Sequence, residues 1–184
     1  PLGTRARLAF ALLLYTGVRR SDAVKLGRQM IRQGWLTFTQ TKNRKRNPVI
    51  VSIPVLPELQ AVIDATPSCN MTLLVTEFGR PFTAAGFGNR FREWCNDAGL
   101  RHCSAHGLRK AGATIAAENG ATEHQLMAIF GWTTAKQAEH YTKAARRKLL
   151  AAGAMHLLVA GQTQNEIDPP SMVVREGESK LGGK

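Results

Sequence analysis

Hydrophobic side chains near the start of the chain recur at helical spacing. Leu8, Leu12 and Tyr15 lie three or four residues apart within an apolar stretch, a spacing that predicts a buried helix. Gly17 can adopt the positive φ with which many helices end. Ser21 then suits the N-cap of a short second helix.

The pattern changes to alternation of apolar and polar residues between residues 29 and 53. The apolar positions are Ile31, Trp35, Phe38, Val49, Val51 and Ile53. Gly34 and the basic stretch 41–48 interrupt them, as turns between strands would. The segment therefore predicts a small antiparallel sheet of about three strands whose last turn is strongly basic.

Helical spacing returns in the second half of the chain, after a helix predicted over residues 57–65. One helix is predicted to begin at Thr83, and Ser104 suits the N-cap of the next. Thr122 with Gln125 three residues later forms a capping-box pattern. A last helical stretch extends toward Leu158. These elements predict an α+β domain that is mainly helical, with a small three-stranded antiparallel sheet.

The domain is expected to cover residues 1–160, and the remainder has a different composition. From residue 161 onward the chain is polar and contains Pro169-Pro170 and several glycines. Such a segment buries too little apolar surface to fold by itself. We expect residues 161–184 to form a flexible tail.

Charge adds a partner class to this picture. The 184 residues include 25 Lys and Arg against 13 Asp and Glu, which gives a net charge of +12. That balance favours a polyanion, either nucleic acid or an anionic membrane. A membrane is the weaker choice, because the longest apolar run, Leu8–Leu14, is far shorter than the roughly 20 residues that span a bilayer. Cys69, Cys95 and Cys103 form no CxxC pair, which favours a reducing cytoplasm.

Five residues carry candidate chemistry. Tyr141 is preceded along the chain by two arginines, a histidine and an indole: Arg19, His106, Arg109 and Trp132. A tyrosine can form a covalent intermediate, and the other four groups can stabilise negative charge on phosphate oxygens. Together with the basic charge, this set points to DNA strand breakage and rejoining.

The motifs resemble the catalytic domain of the tyrosine recombinases (phage integrase family). The resemblance rests on Tyr15–Asp22, on His106–Lys110, and on Gly131-Trp132 followed nine residues later by Tyr141. It runs in order from about residue 4 to residue 150. A single HxxR pair is common by chance, whereas the ordered set is specific.

The resemblance implies a role for each of the five residues. Tyr141 would attack a DNA phosphodiester and form a 3′-phosphotyrosyl link, with neither metal nor nucleotide cofactor. Arg19 and Arg109 match the arginines that hold the non-bridging oxygens. His106 matches the histidine that contacts phosphate and assists as a base. Trp132 stands where many members have a second histidine and offers one N–H donor.

Further residues follow from the same resemblance. Lys42 matches the general acid that protonates the leaving oxygen, although Lys45 lies on the same turn and is the alternative. Asp22 falls where the family has an acidic residue that supports the arginines, but acidic residues also favour a first helical turn for local reasons. The residues expected to contact DNA phosphates are Arg20, Arg44, Lys45, Arg46 and Lys110.

Other readings of these residues remain open or are weak. The run from Arg44 to Arg46 would in most proteins be a solvated hairpin tip. His102, Cys103 and His106 fit no standard zinc spacing, so no metal site is predicted. A Cys103–His106 hydrolase pair lacks a recognisable oxyanion site.

The resemblance also implies partners and an organisation. The expected partner is double-stranded DNA, bound by a homotetramer on paired sites in the cytoplasm of a bacterial or phage-infected cell, at the nucleoid. The chain starts almost at the catalytic segment, so we expect the family's N-terminal DNA-clamping domain to be absent. Leu149, Met155 and Leu158 are most simply core contacts; docking on a neighbouring protomer is the alternative.

Two other functions compete with site-specific recombination in integration or excision of a mobile element. A type IB topoisomerase-like enzyme would use the same covalent step to relax supercoils. A catalytically inert DNA-binding fragment would keep the basic surface alone. Since all six expected catalytic positions are filled, the sequence favours an active enzyme.

Overall fold

The computed structural model describes residues 1–42, 47–69 and 71–159. Its α-helices are α1 (Arg5–Thr16), α2 (Arg20–Ala23), α3 (Pro57–Ala65), α4 (Ala84–Asp97), α5 (Ala105–Glu118), α6 (Glu123–Phe130) and α7 (Ala135–Ala154). Short 3-10 helices cover Arg28–Met30 and Met155–Leu158. Strands β1 (Ile31–Arg32), β2 (Trp35–Thr39) and β3 (Ile50–Pro54) form one antiparallel sheet in that order. The predicted mainly helical α+β fold with a three-stranded sheet is confirmed.

The sheet buries one face against the helices. Leu36 and Phe38 of β2 pair with Ile53 and Val51 of β3, and all four side chains are buried. Trp35, in contrast, points outward and is half exposed. Alternation with a period of two is what a strand with one solvated face requires.

Helix α1 lies at the centre of the larger core. Leu8, Leu12 and Leu13 are fully buried among residues of the sheet and of α3 and α4. The Thr4 side chain accepts a hydrogen bond from the Arg7 amide at the start of the helix, and Gly17 ends it with a φ of 59°. The predicted helix and its glycine cap are therefore confirmed.

Helix α5 packs closely against α1 at a glycine. A Cβ on Gly112 would lie 2.8 Å from the carbonyl oxygen of Leu14, which is closer than a methyl group can approach. Ser104 caps α5 by accepting a hydrogen bond from the Gly107 amide at 3.1 Å. This packing fixes the loop that follows α1 beside the first turns of α5.

The short helix α2 differs from the prediction. Its N-cap is Arg19, whose side chain makes no capping hydrogen bond, so the expected cap at Ser21 is wrong. Arg19 has an extended backbone, with φ of −74° and ψ of 153°. The helix therefore begins two residues early, and Arg19 lies at the corner between α1 and α2.

A second, smaller core joins α5, α6 and α7. Leu126 and Phe130 of α6 are buried against small residues of the two neighbouring helices, Ala113, Ala117, Ala138 and Ala145. Trp132 and Tyr141 pack against this cluster. The capping box predicted at Thr122 and Gln125 is present.

The C-terminal end of α7 and the residues after it expose their apolar side chains. Leu149, Met155 and Leu158 are 62%, 61% and 76% exposed. The simplest expectation, that they are core contacts of this chain, is wrong. The tail predicted over residues 161–184 lies outside the described residues. Within the described part of the chain, no helix is long and apolar enough to cross a membrane.

Candidate active site

Arg109 is held between the ends of two helices. Only 5% of its surface is exposed. Its Nη1 donates to the carbonyl of Gly17, and its Nη2 donates to the carbonyl of Phe130 at 2.7 Å. Carbonyls at the C-terminal end of a helix lack partners within the helix and favour a cation. The guanidinium therefore caps α1 and α6 at once and is fixed by both.

The environment of Arg109 lowers the pKa of its guanidinium. Burial lowers the pKa of the Arg109 guanidinium to about 10, and the charge of Arg19 acts in the same direction. Asp22 and Tyr141 act in the opposite direction. The group is therefore still protonated at neutral pH. A poorly hydrated cation of this kind interacts strongly with an anion placed beside it.

Arg19 reaches the same place through a buried amide. Its Nη1 donates to Oε1 of Gln40 at 2.5 Å. Nε2 of Gln40 donates in turn to the carbonyl of Phe130 at 2.9 Å, the same carbonyl that accepts from Arg109. The two arginines are thus linked through one amide and one carbonyl.

A cavity of about 470 Å³ opens beside this pair. Its charged and polar lining residues are Arg19, Arg20, Ser21, Arg92, Ser104, His106 and Arg109. None of the described residues that line it is acidic. His106 and Arg109 are three residues apart on α5 and share one helix face. The cavity is therefore cationic, includes the exposed residue His106 in its lining, and suits a phosphate group.

Tyr141 lies beside this cavity rather than in its wall. Its ring stacks on the indole of Trp132, with centroids 5.4 Å apart and planes 11° apart. Trp132 also stacks with Phe130 at 5.0 Å. The Arg109 Cζ lies 5.7 Å from the Trp132 ring, so the indole contacts both the tyrosine and the arginine.

Tyr141 lines a separate small cavity of about 280 Å³ together with Lys110, Thr114, Glu118 and His140. The neighbouring His140 ring meets Tyr141 edge-on at 5.2 Å. Lys110 is exposed at the rim. In this structure the tyrosine and the arginine cavity are therefore adjacent but distinct.

Asp22 ties α2 to the end of β2. It is buried, and its Oδ1 accepts a hydrogen bond from the Thr41 amide at 2.8 Å. Its Oδ2 has no hydrogen-bond partner among the described residues. Lys25 donates to the Thr41 hydroxyl at 3.0 Å. The exposed Lys42 follows directly, so Asp22 fixes the backbone from which Lys42 projects.

Two of the five predicted DNA contacts lie on described residues. Arg20 is exposed at the arginine cavity, and Lys110 lies at the rim of the tyrosine cavity. Arg44, Lys45 and Arg46 lie outside the described residues. Lys45 is also the alternative to Lys42 as the general acid.

Two residues of the site were missed from the sequence. Arg92 lies on α4 and lines the arginine cavity, but nothing in the sequence sets it apart from the other arginines of the chain. Gln40 follows β2 as an ordinary polar residue, and its two partners are far away in the chain. No sequence pattern would have found it.

His102, Cys103 and His106, which lie before or at the start of α5, do not form a metal-binding group in this structure. Among residues 1–42, 47–69 and 71–159, no three His, Cys, Asp or Glu side chains are arranged to hold a metal ion. Cys103 packs against the main core, whereas His102 is exposed.

Comparison with known proteins identifies relatives over most of the chain. Residues 1–148 match the profile of the phage integrase family. Tyrosine recombinase XerC 2 of Ralstonia nicotianae is 30% identical over 150 residues, which cover 77% of this chain and 43% of that protein. The chain thus spans less than half the length of this curated relative.

Solved structures share the fold. The XerA recombinase superposes with a TM-score of 0.63 at 18% identity, over 83% of this chain and 64% of that one. The XerH site-specific recombinase, in a post-cleavage complex with a palindromic difH substrate, gives a TM-score of 0.58 at 22% identity, over 83% and 46% of the two chains. At these identities the likeness is one of fold.

Proposed function

This chain belongs to the phage integrase family, and we propose on that premise that it catalyses site-specific DNA recombination through a tyrosyl–DNA intermediate. The observation that carries the proposal is the convergence of Arg19, His106 and Arg109 on one cationic cavity, with Tyr141 stacked beside it on Trp132. This arrangement supports phosphoryl transfer by a tyrosine nucleophile.

The two arginines are proposed to hold the scissile phosphate. Arg109 uses one N–H of each terminal nitrogen on the Gly17 and Phe130 carbonyls, which leaves three of the five guanidinium N–H groups for phosphate oxygens. Because these donors are fixed before the phosphate arrives, little reorganisation is needed when charge develops on it. Arg19 and the indole N–H of Trp132 would complete the donor set.

The covalent step is proposed for Tyr141. Its phenolic oxygen forms a bond to phosphorus while the bond from phosphorus to the 5′ oxygen breaks. The phenolic proton passes to His106 or water, and Lys42 supplies a proton to the leaving 5′ oxygen, which becomes a free 5′ hydroxyl. Religation reverses these transfers on a new strand. Since Tyr141 lines the neighbouring cavity and its charge acts on Arg109, we propose that a shift of its ring along the Trp132 stack brings the phenolic oxygen to the phosphate.

Double-stranded DNA is the proposed partner, and a homotetramer on paired sites is the proposed assembly. One protomer supplies one tyrosine, and exchange of two duplexes needs four cleavages. The exposed apolar side chains of Leu149, Met155 and Leu158 support docking of this segment on a neighbouring protomer, since exposed apolar groups close together mark association surfaces.

Trapping of the covalent intermediate tests the proposal. The substrate is a nicked duplex that carries the attachment sequence of the element. After cleavage, the short fragment with the free 5′ hydroxyl dissociates, so religation is prevented and the adduct accumulates. The chain and its Tyr141→Phe variant are incubated with this DNA in EDTA and resolved on a denaturing gel. A protease-sensitive band that only the wild type forms is expected, and would also establish the metal independence that we propose.

Binding of the duplex without any adduct would contradict catalysis by this chain and leave the inert DNA-binding fragment. Relaxation of a supercoiled plasmid that lacks attachment sites, without recombinant products from paired sites, would instead favour the topoisomerase-like activity.

A further inference from the structure

We infer that Gln40 is a positioning residue, which holds Arg19 in place for phosphate and couples it to Arg109. This inference rests on the proposed function. It concerns a residue that touches neither the phosphate nor the nucleophile in the proposed reaction and acts through the two arginines.

Burial and hydrogen bonding fix the Gln40 side chain in one orientation. The residue is 3% exposed, and its backbone amide continues the sheet by donating to the Val49 carbonyl at 2.9 Å. A guanidinium can only donate, so the amide oxygen must face Arg19; a carbonyl can only accept, so the amide nitrogen must face Phe130. The chemistry of both partners assigns the amide without ambiguity, and both ends of it are satisfied.

Gln40 and Arg109 share one hydrogen-bond acceptor, the Phe130 carbonyl. It accepts from Gln40 Nε2 at 2.9 Å and from Arg109 Nη2 at 2.7 Å. The next residue, Gly131, ends α6 with a φ of 59°, and a Cβ there would overlap the Gln40 amide. A glycine is thus needed for the close approach as well as for the backbone conformation.

An uncharged holder suits an arginine whose task is to bind an anion. A free arginine side chain would have to give up its rotamer freedom when phosphate arrives. The amide of Gln40 removes that freedom beforehand and leaves the full positive charge of Arg19 available. A carboxylate at position 40 would also hold Arg19, but it would neutralise the charge and repel both the phosphate and the Phe130 carbonyl.

Three variants test this role. Gln40→Met keeps the length of the side chain and removes both hydrogen bonds. Gln40→Glu keeps the contact with Arg19 and removes the donor to Phe130. The matched control is Gln29→Met, because Gln29 makes the same kind of amide-to-carbonyl hydrogen bond, to Met71 at 3.1 Å, on the exposed surface away from the site. Thermal unfolding establishes that each variant is folded.

The first readout needs no catalysis. Side-chain NMR of the arginine guanidinium groups reports whether the terminal nitrogens rotate freely, and loss of a signal in Arg19→Lys assigns it. We expect restricted Arg19 nitrogens in the wild type, in Gln29→Met and in Gln40→Glu, and averaged signals in Gln40→Met. Restricted Arg19 signals in Gln40→Met would overturn the inference.

The second readout is the single-turnover rate of adduct formation at saturating nicked DNA. A hydrogen bond to a charged group is worth enough to predict a loss of about tenfold or more in Gln40→Met, with DNA affinity nearly unchanged and Gln29→Met at the wild-type rate. Gln40→Glu is expected to lose at least as much, although Arg19 stays restricted. Wild-type rates in both Gln40 variants would also overturn the inference. If the wild type itself forms no adduct, the proposed function fails, and the NMR comparison still decides whether Gln40 holds Arg19.

Discussion

At the scale of single residues, the site places a charge where it lowers the stability of the folded protein. Burial lowers the pKa of Arg109 well below the ordinary value of a guanidinium, to about 10. The unfolded chain therefore binds this proton more tightly, and the contribution of Arg109 to stability becomes less unfavourable as pH rises through about 10. A cation retained at that cost is what a fixed anion site requires.

Arg109→Lys separates charge from geometry. Lysine keeps the positive charge, but its single ammonium cannot contact the Gly17 and Phe130 carbonyls and still offer a planar fork to phosphate. We expect tyrosyl adduct formation to fall by about a hundredfold or more, measured as the single-turnover rate on nicked DNA. Arg101→Lys, on an exposed turn before α5, serves as the control. A rate near wild type for Arg109→Lys would contradict the proposed role of Arg109 in binding the phosphate.

Trp132 combines ring stacking with an indole N–H donor, and two substitutions distinguish the contributions of the ring and the donor. Trp132→Phe keeps an aromatic ring against Phe130 and Tyr141 but removes the N–H. Trp132→His keeps a donor with a smaller ring. If the indole N–H contacts phosphate, Trp132→Phe should cleave roughly ten- to a hundredfold more slowly than the wild type, and Trp132→His should retain more activity. The reverse order of cleavage rates would assign the residue to packing.

At the scale of elements, the helix that carries Tyr141 is anchored by one carboxylate. Oε1 of Glu123, in the first turn of α6, accepts from the Thr142 hydroxyl at 2.6 Å. Oε2 accepts from Arg146 at 3.1 Å. Thr142 is buried directly after Tyr141, so this contact fixes the turn of α7 on which Tyr141 lies.

The anchor predicts a pH dependence. Hydrogen bonding from Thr142 lowers the pKa of Glu123 below its ordinary 4.5, and Arg146 acts in the same direction. The carboxylate therefore stabilises the folded state fully above 4.5, and this contribution is lost as pH falls through the folded pKa. We expect Glu123→Gln to lower Tm at pH 7 and to differ less from wild type near pH 4. Glu139→Gln, whose partner Lys143 is exposed, is the control; an equal Tm difference at both pH values would contradict the anchor.

Elements defined by local chemistry were predictable, whereas contacts between distant segments were not. Ser104 and Thr122 cap their helices through amides three residues away, Gly17 ends α1 through its own backbone conformation, and each was predicted correctly. Gln40 touches Arg19 and Phe130 across long chain separations, which no periodicity records. Trp132 and Tyr141 were predicted as site residues, but their stacking depends on how α6 and α7 pack.

Exposure at the end of α7 was mispredicted for a related reason. Leu149 has the composition of a core residue, but hydrophobic character alone does not say whether the surface that covers it belongs to the same chain.

At the scale of the whole molecule, the positive charge behind the net +12 does not all lie at the arginine cavity, and two arginines of α4 show the difference. Arg92 lines the cationic cavity. Arg90, two residues earlier, pairs with Glu93 at 2.7 Å and stacks over Trp94 beside another cavity. If DNA occupies the arginine cavity, these two arginines should affect its binding differently.

Arg92→Ala is expected to weaken DNA binding and to reduce the slope of log K against log salt by about one. Arg90→Ala should leave both unchanged. The measurement is a fluorescence-anisotropy titration at several salt concentrations. Equal effects of the two substitutions would mean that the whole basic surface, rather than this cavity, binds the DNA.

The stacking of Tyr141 on Trp132 also gives the protein an internal optical reporter. An indole in contact with a phenol ring has different emission and near-ultraviolet dichroism from the same indole without it. The other two tryptophans, Trp35 and Trp94, lie elsewhere, on the outer side of the sheet and on α4, and can be replaced by phenylalanine. The remaining fluorescence would then report, in real time and without a label, whether Tyr141 leaves the Trp132 stack when DNA binds.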